Sequence, residues 1–170
     1  MEAAIVWLWA NGRLDYIADG QILTSWSDAA RFVAWFALVP IWRGTHFYFS
    51  HRLLHVRIMY KYVHALHHFN LDTEPFTGIC MHPVEHLYYC SCLAPSLYFR
   101  MHPLHLLFNA AHLMLSPATS HSGWEDHVHS DQFHYVHHAR FECNYGAASV
   151  PLDKFFGTFG ESLPASSGAE

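Results

Sequence analysis

Histidine sets the terms on which this chain can fold. It accounts for 17 of 170 residues, in a sequence that is 52% apolar and only 14% charged. An imidazole costs free energy to bury without a partner and titrates near neutrality, so packing alone does not explain so many. They form no terminal tract, which excludes a purification tag. Instead they fall into spaced phrases. His51-Arg52-Leu53-Leu54-His55 and His82-Pro83-Val84-Glu85-His86 are H-x-x-x-H, while His64-Ala65-Leu66-His67-His68 and His134-Tyr135-Val136-His137-His138 are H-x-x-H-H. Positions i, i+3 and i+4 share one face of an α-helix, so each phrase predicts a helix presenting its imidazoles on one side. The first H-x-x-x-H and the two H-x-x-H-H phrases supply eight nitrogens, enough for two metal ions with positions open for oxygen or water.

Ligand type narrows the metal without choosing it. Imidazole suits iron, zinc, copper and nickel alike. A closed structural zinc site would use four ligands, often cysteine. Here Cys80, Cys90, Cys92 and Cys143 lack metal spacing and read as small buried hydrophobes in reducing surroundings. A two-metal, all-nitrogen site makes iron with O₂ chemistry the leading expectation, with copper and zinc open on residue type. The net charge of −5, from 9 basic and 14 acidic residues, argues against a nucleic-acid partner. Aromatics at 16%, with so few charges, lean toward a membrane.

The segments between the phrases predict the rest. Residues 1–28 read as an apolar N-terminal stub and a connection, too short in its apolar part to span a bilayer. Ser27 or Asp28 is the expected N-cap of a helix from Ala29 toward Ser50, kinked at Pro40. Between Phe32 and Phe49 its only full charge is Arg43, so it is a spanning candidate. Over 51–69, Arg52, Arg57 and Lys61 join the histidines in a basic helix that suggests a cytoplasmic-side exit. Residues 76–99 and 101–118 predict a membrane hairpin turning at Arg100–Pro103. Histidines return over 121–138, Asn144-Tyr145-Gly146 predicts a turn, and 151–160 is a closing amphiphilic segment. The expected fold is all-α: a domain over 29–160 of integral membrane helices with a cytoplasmic helical cap holding a di-metal site, then a disordered tail over 161–170.

Read together, FYFSHRLLH, KYVHALHH, MHPVEH, HSGWE, FHYVHHARFECNYG and DKFFGTFG resemble the fatty acid hydroxylase/sterol desaturase superfamily over roughly residues 44–160. The resemblance implies a membrane non-haem di-iron enzyme that uses two iron ions and O₂ to hydroxylate or desaturate a sterol, fatty acyl, sphingoid or related lipid. Carried over residue by residue, it implies His51, His55, His64, His67, His68, His134, His137 and His138 as metal ligands, with His121 as a ninth. His82 and His86 stand as either ligands or bystanders, and Glu85 as an acceptor orienting an imidazole. His127 and His129 read as solvated, and His46, His102, His105 and His112 as packing or interfacial residues.

Family members carry more apolar sequence before the first box than the 50 residues here, so the chain reads as a minimal member or a fragment. With no fused electron carrier in these residues, the resemblance implies an external donor, such as cytochrome b5 or a ferredoxin with its reductase. It places the protein in the endoplasmic reticulum of a eukaryote or the inner membrane of a bacterium. Arg52, Arg57, Lys61 and Arg140 fit contacts to headgroups or to an acidic donor as well as they fit a solvated face. Tyr135 and Tyr145 read as packing residues. The competing reading is a non-catalytic membrane metal-binding or metal-transport protein, which would string histidines through its spans. Clustering at span ends favours a fixed site. A hydrolytic metal enzyme would need a general base, for which only Glu85, Glu125 and Asp126 lie near the phrases.

Overall fold

The computed structural model describes residues 1–71 and 73–161, all helix, turn and irregular chain, with no strand among them. The expected tail, 161–170, lies outside the described residues apart from Glu161. The frame is α2, Trp26–Leu54, 29 residues that begin three residues earlier than the sequence predicts and run on through Pro40. Its cap is Ser25, neither Ser27 nor Asp28: the Ser25 hydroxyl accepts from the Asp28 amide at 3.2 Å and donates back to the Asp28 carboxylate at 2.6 Å. At 1.5 Å per residue α2 is about 43 Å long. Helix α1, Glu2–Ala10, packs Ile5 and Trp9 into a core with Cys92, Leu93, Leu106 and Leu113.

Two expectations fail on length and polarity. No helix among the described residues is both long and apolar enough to cross a membrane. Helix α2 has the length, but Arg31, Arg43, His46, His51 and Arg52 dilute its apolar content. Nor is 76–99 one arm of a hairpin. It breaks into 3₁₀ turns at Thr77–Ile79 and Ser91–Leu93 around two short helices, α5 (Pro83–Cys90) and α6 (Pro95–Tyr98). The breaks have a local cause: Pro83 and Pro95 each open a helix at its first position, where a missing N–H does no harm. The other arm does form one helix, α7, Pro103–Thr119, capped by His102.

The histidine phrases sit on short helical pieces at one end of α2. After a break at His55–Val56, the chain runs through α3 (Arg57–Met59), a π-helical turn (Tyr60–His64) and α4 (Ala65–His68). The late phrase lies on α8, Ser130–Arg140. A loop containing Asn144 and a last turn, α9 (Leu152–Phe155), close the fold against α2. The free cysteines divide: Cys92 is buried as expected, whereas Cys80 is exposed.

Candidate metal centre

Nine imidazoles converge on two neighbouring points. His51, His55, His64, His68 and His137 form one cluster, and His67, His121, His134 and His138 the other; within each, the candidate ligand atoms lie within 4.8 Å of one another. All are buried except the half-buried His55. Each cluster has a hub. The Nε2 of His68 lies 3.2 Å from that of His55, 3.1 Å from that of His64 and 3.1 Å from that of His137. The Nε2 of His138 lies 3.2 Å from those of His67, His121 and His134.

The helix periodicity predicts that an H-x-x-H-H phrase presents its imidazoles on one side, and the structure divides them between the two clusters. The i, i+4 pair His64 and His68 belongs to the first cluster, while His67 turns to the second. On α8 the assignment is reversed: His134 and His138 share the second cluster and His137 reaches the first. Each phrase therefore contributes to both clusters. The π turn at Tyr60–His64 lies immediately before this division, a backbone irregularity of the kind that often accompanies functional sites.

The hydrogen bonds fix which nitrogen is free. His51 Nδ1–H donates to the Tyr145 carbonyl at 2.7 Å, His137 Nδ1–H to the Cys143 carbonyl at 2.6 Å, and His121 Nδ1–H to the Pro117 carbonyl at 2.8 Å. His67 Nδ1–H points at the Cys80 carbonyl, 3.4 Å away. A carbonyl only accepts, so in these rings the proton sits on Nδ1 and Nε2 carries a lone pair. Each of these lone pairs faces the Nε2 of a further ring at 3.0–3.2 Å: His51 that of His64, His137 that of His68, and His67 and His121 that of His138. The two hub imidazoles, His68 and His138, have no partner at Nδ1. Buried lone pairs aimed at a common point, with protons locked on the far side, fit a cation at that point. The residues present thus suit a metal pair held entirely by nitrogen.

Electrostatics agree. Burial, and then the neighbouring imidazoles, hold His51, His64, His67, His68, His134 and His137 well below the ordinary histidine range. Burial alone lowers His55 to about 4, and burial with His121 and His51 lowers His138 to about 3. The rings are therefore neutral at physiological pH, the form that coordinates metal.

Of the less secure candidates, Glu85 is the one the fold brings in. It is 4% exposed, and its Oε1 lies 2.8 Å from His64 Nδ1. Burial pushes its carboxyl up to about 8, so the proton between it and His64 is held within the pair. His82 and His86 join neither cluster: His82 caps α5 by accepting from the Val84 amide at 3.2 Å, and His86 is exposed. His129 forms an exposed pair with Glu125. His102 and His105 are buried packing residues, and Tyr145 is buried, but Tyr135 is 40% exposed.

Sequence reasoning missed the frame that holds the rings. Asn144 sits at a left-handed φ of 56°, which an asparagine tolerates better than most residues. Its amide donates to the Phe133 and Gly160 carbonyls and accepts from the Gly160 amide at 2.8 Å. Asp153, 2% exposed, accepts from the Tyr145 and Gly146 amides, both at 2.8 Å, and from the Thr158 hydroxyl at 2.7 Å. A side chain at Gly146 would place its Cβ 2.7 Å from that carboxylate, so only glycine fits. These bonds set the loop whose Cys143 and Tyr145 carbonyls orient His137 and His51. Buried Asp131 fixes the chain just after His121, accepting from the Gly123 amide at 2.7 Å. The Asn-Tyr-Gly phrase was the visible signal for the first device; the second left none.

Comparison with known proteins agrees with this geometry. A family model described as fatty acid hydroxylase matches residues 36–158. The chain is 28% identical over 124 residues to a Delta(7)-sterol 5(6)-desaturase of Gibberella zeae, covering 66% of this chain and 34% of that protein. It is 28% identical over 122 residues to the lathosterol oxidase of Rattus norvegicus, covering 66% and 40%. A third relative, fatty acid hydroxylase domain-containing protein 2 of Macaca fascicularis, is 28% identical over 148 residues, covering 78% and 43%. The chain thus spans less than half the length of these relatives. No solved structure matches. With the family's pattern covering both histidine clusters and the loop that orients them, the chain belongs to the fatty acid hydroxylase/sterol desaturase superfamily.

Proposed function

We propose that this chain holds two iron ions between its histidine helices and oxidises a C–H bond of a membrane lipid with O₂. The supporting observation is the set of buried Nε2 lone pairs that converge in two clusters while carbonyls hold the Nδ1 protons outside. When bound, the irons would supply reductive O₂ chemistry and the hydrogen abstraction shared by hydroxylation and desaturation. His51, His55, His64, His68 and His137 would hold one ion, and His67, His121, His134 and His138 the other. Glu85 keeps the His64 ring in its coordinating orientation, and the Asn144 loop does so for His51 and His137. Phe47 stacks on His51 at 4.9 Å, and Phe141 lies over His68 at 4.9 Å, shielding the centre from water.

The relatives' names favour a sterol as the lipid. Exposed apolar side chains on α2 (Val33, Leu38, Ile41) and α7 (Leu107, Met114, Leu115) support embedding in a bilayer, with the histidine end as a cytoplasmic cap. The organelle would be the endoplasmic reticulum or a bacterial inner membrane. Electrons would arrive from a separate donor such as cytochrome b5 or a ferredoxin.

Metal analysis of the detergent-purified chain, with O₂ uptake in the presence of reductant and a sterol, tests this reading. Two irons per chain are expected, one for each cluster. The double variant His137→Ala/His138→Ala is expected to lose both, since its residues serve different clusters. A freshly purified chain without metal overturns the proposal. Zinc in both places with no reductant-dependent O₂ uptake overturns the oxidation chemistry and leaves a metal-binding protein.

A further inference from the structure

The metal-bearing face is only one side of the helical stretch that carries the second histidine phrase. Arg57–Met59, the π turn and Ala65–His68 run on as one right-handed piece, set off from α2 by Val56 in extended backbone. Its inner side buries Val63, His64, His67 and His68. On the outer side Ile58, Tyr62, Leu66 and Phe69 follow one another at helical spacings, each between 49% and 86% exposed. Arg57 and Lys61 stand one position before Ile58 and Tyr62, both exposed, and the Lys61 ammonium lies 5.0 Å over the Tyr62 ring. A surface helix in water turns a polar face outward. This one is apolar outside as well as inside, and its only formal charges are two cations.

From this we infer that residues 57–69 are an interfacial anchor, lying in the plane of a membrane surface and binding anionic lipid headgroups. Apolar side chains at helical spacing beside cations are the pattern of a helix held at the boundary between headgroups and acyl chains. The charge is complementary to such a surface. No acidic residue occurs between Asp28 and Asp72, and none of the ion pairs among the described residues involves Arg52, Arg57 or Lys61. Each free cation near an anionic surface contributes about 1 kcal/mol of attraction. Lys61 and Tyr62 pair an apolar body with a polar tip, as side chains at a lipid boundary do.

Continuity along the chain favours lipid over a protein partner. Exposed Leu53 and Val56 join the outer stripe to the exposed apolar side chains of α2, the surface assigned above to the bilayer. A helix with its side chains is about 10 Å across. The anchor would therefore hold His64, His67 and His68 about one helix width from the headgroups, on the far side of the same helix. A lipid could then approach the histidine clusters without leaving the membrane. The inference rests on the lipid-oxidising reading for its purpose, but its test reads membrane binding and not turnover.

Two measurements on the full chain test the anchor: partitioning from dilute detergent into vesicles, and hydroxyl-radical footprinting of Tyr62 and Phe69 once bound. The vesicles are phosphatidylcholine alone, or phosphatidylcholine partly replaced by phosphatidylserine. The anionic vesicles are expected to bind the chain more tightly, by a margin that shrinks as salt is added, and to protect Tyr62 and Phe69 further from oxidation. The double variant Arg57→Gln/Lys61→Gln is expected to lose about 30-fold of that preference, the equivalent of about 1 kcal/mol for each cation, with iron content and helical circular dichroism unchanged. Equal partitioning into both vesicles, or a preference that survives intact in the double variant, overturns the assignment. So does full oxidation of Tyr62 and Phe69 in anionic vesicles, which would leave the face to a protein partner. Should the double variant fail to fold, the salt dependence and footprint of the unaltered chain decide. Absence of metal from every preparation, with the anionic preference intact, would count against the di-iron reading and leave the anchor standing.

Discussion

His67 and His68 are adjacent in sequence and belong to different clusters. Their alanine variants are therefore expected to differ in kind: His68→Ala removes the hub of the five-imidazole set, and His67→Ala one member of the other. Each variant should retain about one iron, with distinct Mössbauer signals for the iron that remains. Loss of both irons from each would show that the clusters fill only as a unit. Glu85 acts at one remove, through His64 Nδ1. Removing such an oriented acceptor commonly costs about 10–100-fold in metal affinity, so Glu85→Ala should release iron to a chelator correspondingly earlier, and Glu85→Gln, which keeps an acceptor, less so. Eight of the nine ring positions were legible because a helix repeats every 3.6 residues and histidine is rare enough to stand out, and His121 only through the family resemblance. The division of each phrase between two clusters was not, because spacing shows which rings share a face but not what each ring meets across the interface.

At the scale of elements, the loop after α8 bears the heaviest duty. Asn144→Ala removes three hydrogen bonds and places alanine at a left-handed φ. At about 1 kcal/mol per bond, with a further 1–2 kcal/mol for the backbone, the variant should lose about 4–5 kcal/mol. A falling Tm together with lost iron is the expected result; lost iron at an unchanged Tm would mean that the loop serves the metal alone. The phrase Asn-Tyr-Gly was visible, whereas its partners Asp153 and Gly160 are joined to it only through the fold. The helix over 76–99 was misread for a related reason. Its apolar run is continuous, but Pro83 and Pro95 partition it, and a hydropathy pattern does not register a missing N–H.

For the whole molecule, the buried imidazoles set the response to acid. The folded chain resists protonating rings whose unfolded value is near 6.5, so below that pH the unfolded state binds more protons and stability falls. His55, near 4, and His138, near 3, extend this loss toward the acid end. Glu85 opposes it: raised from 4.5 to about 8, its contribution is full at low pH and is lost as pH rises through 8. Nine rings outweigh one carboxyl. The chelator-stripped chain should therefore lose Tm steadily between pH 6.5 and 4, as followed by circular dichroism. A flat profile would mean that the rings already titrate in the folded state.

The crossing of the histidine phrases also dictates when iron can be acquired. The first cluster pairs His68 with His137, 69 residues later, and the second pairs His67 with His138, 71 residues later. Neither set exists while the chain is still emerging from the ribosome, until α8 has cleared the exit tunnel and swung back onto α4. Both proposed ions would then arrive at a chain whose other helices are already made, and their arrival would clasp the first two histidine phrases to the last. On the two-iron reading, loading would be a closing event in biogenesis, and a cell short of iron would accumulate the open, unclasped protein.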